Sequence, residues 1–191
     1  MSARGDSLGS WRWTRIVRTM FPLLVVLSVI VLWAGLTLEG ARSLLEEFGI
    51  LAIMVPTMVG TGGNLGATLS SRLSTRFHLG TTTLDPRDRV LWANVLAILA
   101  LAASIFAALA VGAYLLGLVV GSTLSFPTLF LISMVSGMSV AVVAIVFSFA
   151  ATYLSYRAGI DPDDTTIPIV TNVVDVFGML IFIGVSTLVL T

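Results

Sequence analysis

The 191-residue chain is 57% hydrophobic and only 10% charged, far below the roughly 25% charged residues of a soluble domain, which excludes a water-soluble fold. Ten arginines balance ten acids and there is no lysine, so the net charge of zero offers no basic face to nucleic acid. The lack of cysteine and the single histidine, His78, exclude disulfides, thiol catalysis, sulfur-ligated zinc and a histidine-based metal site.

Five apolar stretches are long enough to cross a hydrocarbon core of about 30 Å, which takes about 20 helical residues. They run roughly over 20–38, 44–71, 88–120, 127–156 and 164–190. The reading is an all-α integral membrane protein, with an N-terminal cytoplasmic segment over 1–19 and a five-helix transmembrane domain over 20–191. Arg4, Arg12, Arg15 and Arg18 precede the first span, and Trp11 and Trp13 suit the membrane interface. This span exceeds a signal-peptide core and no small-residue cleavage site follows it, so it is expected to stay as a membrane anchor. Nine arginines fall on one side if the N-terminus is inside, against Arg42 alone on the other. That asymmetry predicts an N-in, C-out protein of the cell membrane.

The second span opens on Ser43 with Glu46 three residues on, the pattern of a capping box. It is then interrupted by Pro56 and by Gly60-Thr61-Gly62-Gly63-Asn64-Leu65-Gly66, which points to close approach by another group. Gly62, Gly66 and Ser70 repeat every four residues, the spacing by which membrane helices bring their backbones together. Asn64 and Thr61 would supply oxygen ligands if the same face lines a pore, as broken helices do in transport sites, and both roles are expected together. The run is no dinucleotide fingerprint, because Leu65 stands where the last glycine belongs and no strand precedes it.

The third and fifth spans are each preceded by Asp-Pro, Asp85-Pro86 and Asp161-Pro162, an N-cap acceptor followed by proline at the first helical position. Asp161, Asp163 and Asp164 either attract cations or complement the dipole of the helix they open. Within the fifth span stands Asp175, alone among the ten acids in lying well inside a span. A carboxylate at that depth costs roughly 2.5–3.5 kcal/mol on insertion scales and is kept mainly where it faces a polar interior or an ion path. The bland alternative is a protonated Asp175 bonded to another helix. Thr171, Asp175 and Gly178 form one seam at i, i+4 and i+7, with Asn172 beside it. Pro168, about two turns before Asp175, either merely kinks the helix or frees a backbone carbonyl toward ions or water.

Oxygen donors without nitrogen or sulfur suit a hard cation, and Mg2+ takes six oxygens while keeping much of its water. The candidate ligand set is Asp175, Asn64, Thr171, Asn172 and Thr61, with the backbone of Gly62, Gly63 and Gly178. One carboxylate per chain is thin for a divalent ion, and a two-fold dimer would bring two Asp175 side chains to one axis. No nucleophile paired with a base, phosphate loop or zinc motif suggests an enzyme.

Two stretches resemble the membrane domain of the MgtE-type magnesium transporters, which include the eukaryotic solute-carrier-41 proteins. One is Gly62-Gly63-Asn64-Leu65-Gly66-Ala67-Thr68-Leu69-Ser70-Ser71-Arg72-Leu73. The other runs from Gly159-Ile160-Asp161-Pro162-Asp163 through Pro168-Ile169-Val170-Thr171 to Asp175-Val176-Phe177-Gly178. The resemblance implies a five-helix protomer and a dimeric pore between the second and fifth spans. It also implies a hydrated Mg2+, as transported ion and not as catalytic cofactor, held by Asp175. Bacterial members are similar but carry a large cytoplasmic sensor before the membrane domain, and the solute-carrier members are similar to two such units in one chain. The expectation is therefore a single half-unit without the sensor, embedded in lipid and paired as a homodimer or with a related half. The residues leave open a Na+- or H+-coupled exchanger and a non-transporting assembly subunit.

Overall fold

The structure, a computed structural model, describes residues 13–80, 87–158 and 162–191, and among these every regular element is helical. The order is α1 (Trp13–Gly40), α2 (Arg42–Glu47), α3 (Gly49–His78), α4 (Arg89–Val120), α5 (Phe126–Arg157) and α6 (Pro162–Leu190). All but the short α2 are long and apolar enough to cross a membrane, as the five apolar runs predict. The protein is a multi-pass integral membrane protein. At 1.5 Å per residue the 32-residue α4 is about 48 Å long, more than a straight crossing needs, so it tilts or projects beyond the hydrocarbon.

α6 packs most extensively on α5 and α3, and α4 packs on α5. The interior they share is built on Ile50, Leu51, Met54, Met58 and Leu69 of α3, Phe106 of α4, Leu129 and Ile132 of α5 and Phe182 of α6. α1 leans on α6, burying Leu27 and Ala34 while Phe21, Leu32 and Trp33 stay exposed. An exposed apolar face is what a lipid-bathed helix presents. Lipid is as apolar as leucine, so these helices are held by close packing and interhelical hydrogen bonds rather than by exclusion of water. Between α4 and α5 the ring of Phe106 lies over Gly137, where a Cβ would strike its carbons. In the same interface Ser133 Oγ donates to the Phe106 carbonyl at 2.7 Å.

The helix boundaries correct three expectations. The Ser43–Glu46 capping box does not form: Ser43 lies inside α2, whose N-cap is Ala41 without a side-chain bond. Glu46 instead accepts from Arg42 Nε at 2.7 Å, a charge-assisted bond at i, i+4 that competes for the same carboxylate. The second span is not broken, because α3 is one continuous helix through Pro56 and Gly60–Gly66. Proline removes a single bond there, and the neighbouring helices enclose Gly62, Gly63 and Gly66. The third span begins at Arg89 and not after Asp85; Asp85-Pro86 lies outside the described residues, as do Arg4, Trp11, Arg12 and Asp161. Pro162 is the first residue of α6, and Asp163 and Asp164 occupy its first turn.

Asp88 caps α4 through Oδ1, which accepts from the Val90 N–H at 2.8 Å, and pairs with Arg76 of α3 through Oδ2, also at 2.8 Å. The backbone N–H of Val90 and then the Arg76 guanidinium hold its carboxyl below the ordinary value of 3.8. A group depressed in the folded state contributes stability that is full above its unfolded value and is lost as pH falls through the folded one. Asp88→Ala is expected to lower the melting temperature at neutral pH. The gap from wild type should persist as pH falls to 3.8 and close only below it, as thermal melts across acid pH would show.

Candidate ion pathway

Contacts at the glycines of α3 give the register of the three central helices. A Cβ at Gly62 would strike Val140 of α5 and lie 2.9 Å from Val174 Cγ1 of α6. At Gly66 it would lie 2.6 Å from Val170 Cγ1 and 3.5 Å from the Ala144 methyl, and Gly178 of α6 meets Val59 of α3 at 3.5 Å. Residue numbers rise together on α3 and α5 and oppose each other on α3 and α6, so α5 runs parallel and α6 antiparallel to α3. Real side chains essentially never approach a Cβ below 3.0 Å, so any larger residue at Gly62 or Gly66 would force these valines to shift. Gly62, Gly66 and Gly178 are thus packing surfaces.

Gly63 differs. A Cβ there would sit 3.8 Å from Asp175 Oδ1 and 3.8 Å from Thr171 Cβ, ordinary contact, so the two α6 side chains lie directly against the α3 backbone. Asp175 and Thr171 are half-buried. The Thr171 hydroxyl donates to the carbonyls of Ile167 and Pro168 at 3.0 and 3.1 Å. Asn172 Nδ2 donates to the Pro168 carbonyl at 2.8 Å. These bonds run to carbonyls of the Pro168 turn and commit one of the two Asn172 Nδ2 N–H groups to backbone, leaving its amide oxygen as an acceptor.

Asn64 follows Gly63 by about 100° around α3, and Thr61 lies about 200° from it. Asn64 is exposed; Thr61 is half-buried on the far flank. The structure therefore gathers Gly63, Asp175, Thr171 and Asn172, puts Asn64 at the margin of that group and turns Thr61 away. Asn64 belongs instead to a line of exposed residues at helical spacing, Thr57, Gly60, Asn64, Thr68, Ser71 and Thr75. The hydroxyls of Thr68 and Thr75 turn back onto the carbonyls of Asn64 and Ser71 at 2.8 and 2.9 Å. One turn from Asp175, Met179 joins Pro56, Val59, Leu38 and Leu45 around an apolar groove of about 400 Å³. Among the described residues no three His, Cys, Asp or Glu side chains come together as a metal site.

Two features escape the sequence reading. The exposed polar line of α3 is signalled only by its spacing. Ser148 of α5, whose hydroxyl donates to the Gly66 carbonyl at 3.0 Å, is signalled by the Ser148, Thr152, Ser155 spacing in an otherwise apolar span.

A family model described as MgtE, divalent cation transporter, matches residues 55–185, from early α3 to late α6 and through every residue of this site. The chain belongs to the MgtE family. It is 32% identical to the magnesium transporter MgtE of Thermus thermophilus, over 87% of this chain and 35% of that protein. It is 29% identical to solute carrier family 41 member 3 of Mus musculus, over 83% of this chain and 35% of the relative. Its identity to the Rattus norvegicus member is 28%, over 83% and 37%. The chain spans about a third of the length of these MgtE-family relatives.

The glycine contacts separate two neighbouring positions. Gly62→Ala forces Val140 and Val174 to move, a change that typically costs about 1–3 kcal/mol, whereas Gly63→Ala adds a methyl in ordinary contact. Both changes gain the same helix propensity, about 0.8–1 kcal/mol, so thermal melts in detergent should show Gly62→Ala clearly less stable than Gly63→Ala. Equal losses at both would contradict this packing.

Proposed function

We propose that this chain carries Mg2+ across the membrane as a two-fold dimer, with the pathway between α3 and α6 and Asp175 as principal ligand. The observation that carries the reading is the placement of Asp175 against the α3 backbone at Gly63, beside an α3 face whose polar residues no other helix among the described residues covers. A charged or polar group at membrane depth is costly against lipid, and a second copy laid on that face removes the cost. The same step brings two carboxylates to one ion. Mg2+ prefers six oxygens and gives up its water reluctantly. Asp175 supplies charge, while the oxygens of Asn64, Thr171 and Asn172 and the backbone at Gly63 hold the water shell from either protomer; Thr61, Gly62 and Gly178, turned away or closed by valines, drop out of the ligand set. The family description and the name of the Thermus thermophilus relative support a divalent cation and Mg2+ in turn. The arginine asymmetry supports an N-in, C-out orientation.

Mg2+ uptake by liposomes holding the purified chain tests this. Asp175→Asn keeps the shape and removes the charge. It should reduce uptake at least about tenfold, about 1.4 kcal/mol, while the dimer remains. Uptake that persists with Na+ and H+ gradients collapsed supports a channel or uniporter, and uptake that stops then makes the protein an exchanger. Unchanged uptake in Asp175→Asn would remove the aspartate from the pathway, and none in wild type would favour an assembly subunit.

A further inference from the structure

Beyond Gly66, toward the C-terminal end of α3, the registers of the three central helices converge on a layer of hydroxyls. Along α3 and α6 the contacts step from Val59–Gly178 to Gly62–Val174 to Gly66–Val170, so the next pair is Ser70–Thr166. Along α3 and α5 they step from Gly62–Val140 to Gly66 with Ala144 and Ser148, so the next turn sets Ser70 beside Thr152. Between α5 and α6, a Cβ at Gly178 would lie 3.8 Å from Val140 Cγ2, an antiparallel register that sets Thr152 level with Thr166, and Ser155 and Thr165 meet at 3.0 Å beside that layer. Three separately read registers thus bring Ser70, Thr152 and Thr166 together from three helices.

These side chains are 0%, 0% and 1% exposed, and their hydroxyls have no hydrogen-bond partner among the described residues. Other hydroxyls in these helices turn back on the carbonyl four residues earlier, as in Thr68, Thr75, Ser104, Ser139 and Thr187. The three at the junction do not. A buried hydroxyl left unpaired is destabilising, and a buried water typically makes about three bonds to such groups.

We propose that one water molecule is bound at the α3–α5–α6 junction by Ser70 Oγ, Thr152 Oγ1 and Thr166 Oγ1. The three ligands are neutral and number half of what Mg2+ requires, so the site suits water and not the transported ion. The bound water links α3 to α6 through α5, one layer from Gly66, and so fixes the relative position of the two helices that flank Asp175.

Thr152→Val and Thr166→Val keep shape and remove one partner each, and thermal unfolding of the purified chain reads the result. A bound water predicts a melting temperature lower by about 2–4 °C for each, with density between the three hydroxyls in a high-resolution experimental map of the wild type and none in the double variant. A raised melting temperature would show that the hydroxyls were unpaired, and an unchanged one that they bond their own helices; either overturns the proposal. So would a wild-type melting temperature raised by Na+ but not by K+ and no longer raised in the double variant, because the guest would then be a cation. None of these readouts depends on transport.

Discussion

The backbone of α3 lies against α5 and α6 because Gly62 and Gly66 carry no side chain, and the rest of the arrangement depends on that contact. In lipid there is little hydrophobic drive to bring helices together, so stability must come from dispersion over closely matched surfaces, each atom pair contributing only about 0.1–0.2 kcal/mol. Val140, Val170 and Val174 fill the places where side chains would stand, and β-branched residues hold one rotamer in a helix. The fit fixes both the separation of α3 from α6 and the rotation of α6 about its axis. With Val170 and Val174 seated on Gly66 and Gly62, the next residue round from Val174 is Asp175, and it falls on Gly63.

This links packing to chemistry through one sequence run. The expectation that Gly60–Gly66 serves both helix packing and an ion path divides by position. Gly62 and Gly66 are closed by valines, Gly63 is open enough to take Asp175 at van der Waals contact, and Asn64 turns outward. Placing one carboxylate at membrane depth costs roughly 2.5–3.5 kcal/mol on insertion scales. The bonds of Thr171 and Asn172 run to carbonyls of their own helix and do not reach Asp175, so they cannot offset it within one chain. In the proposed dimer a second copy across the uncovered face of α3 compensates the cost, which is why the dimer belongs to the proposed function rather than being an addition to it.

The five spans were legible because apolar run length is a direct consequence of bilayer thickness, and Asp175 stood out because its burial contradicts its chemistry. The small-residue spacing of Gly62 and Gly66 was legible for a similar reason, since only close approach explains it. Local polar patterns misled. Ser43 and Glu46 have capping-box spacing, but Ser43 lies inside α2 and Glu46 pairs with Arg42, and Asp88, paired with Arg76, caps α4 at a start the Asp-Pro pattern did not mark. Pro56 and the glycines of α3 suggested a broken helix, yet α3 runs unbroken from Gly49 to His78, with Gly62 and Gly66 packed on α5 and α6. Ser148, Thr152 and Thr166 escaped notice because a hydroxyl in an apolar span is commonplace until the registers of neighbouring helices place it.

The central claim is that the polar face of α3 meets a second copy around water and a cation, and site-directed cross-linking tests it most directly. The chain has no cysteine, so Asn64→Cys introduces a single thiol. The account predicts that a bifunctional thiol reagent joins two chains at this position, that a membrane-impermeant reagent labels it from water, and that Mg2+ slows the labelling. A thiol that never joins two chains and is reached only by lipid-soluble reagents would place that face against lipid and contradict the account.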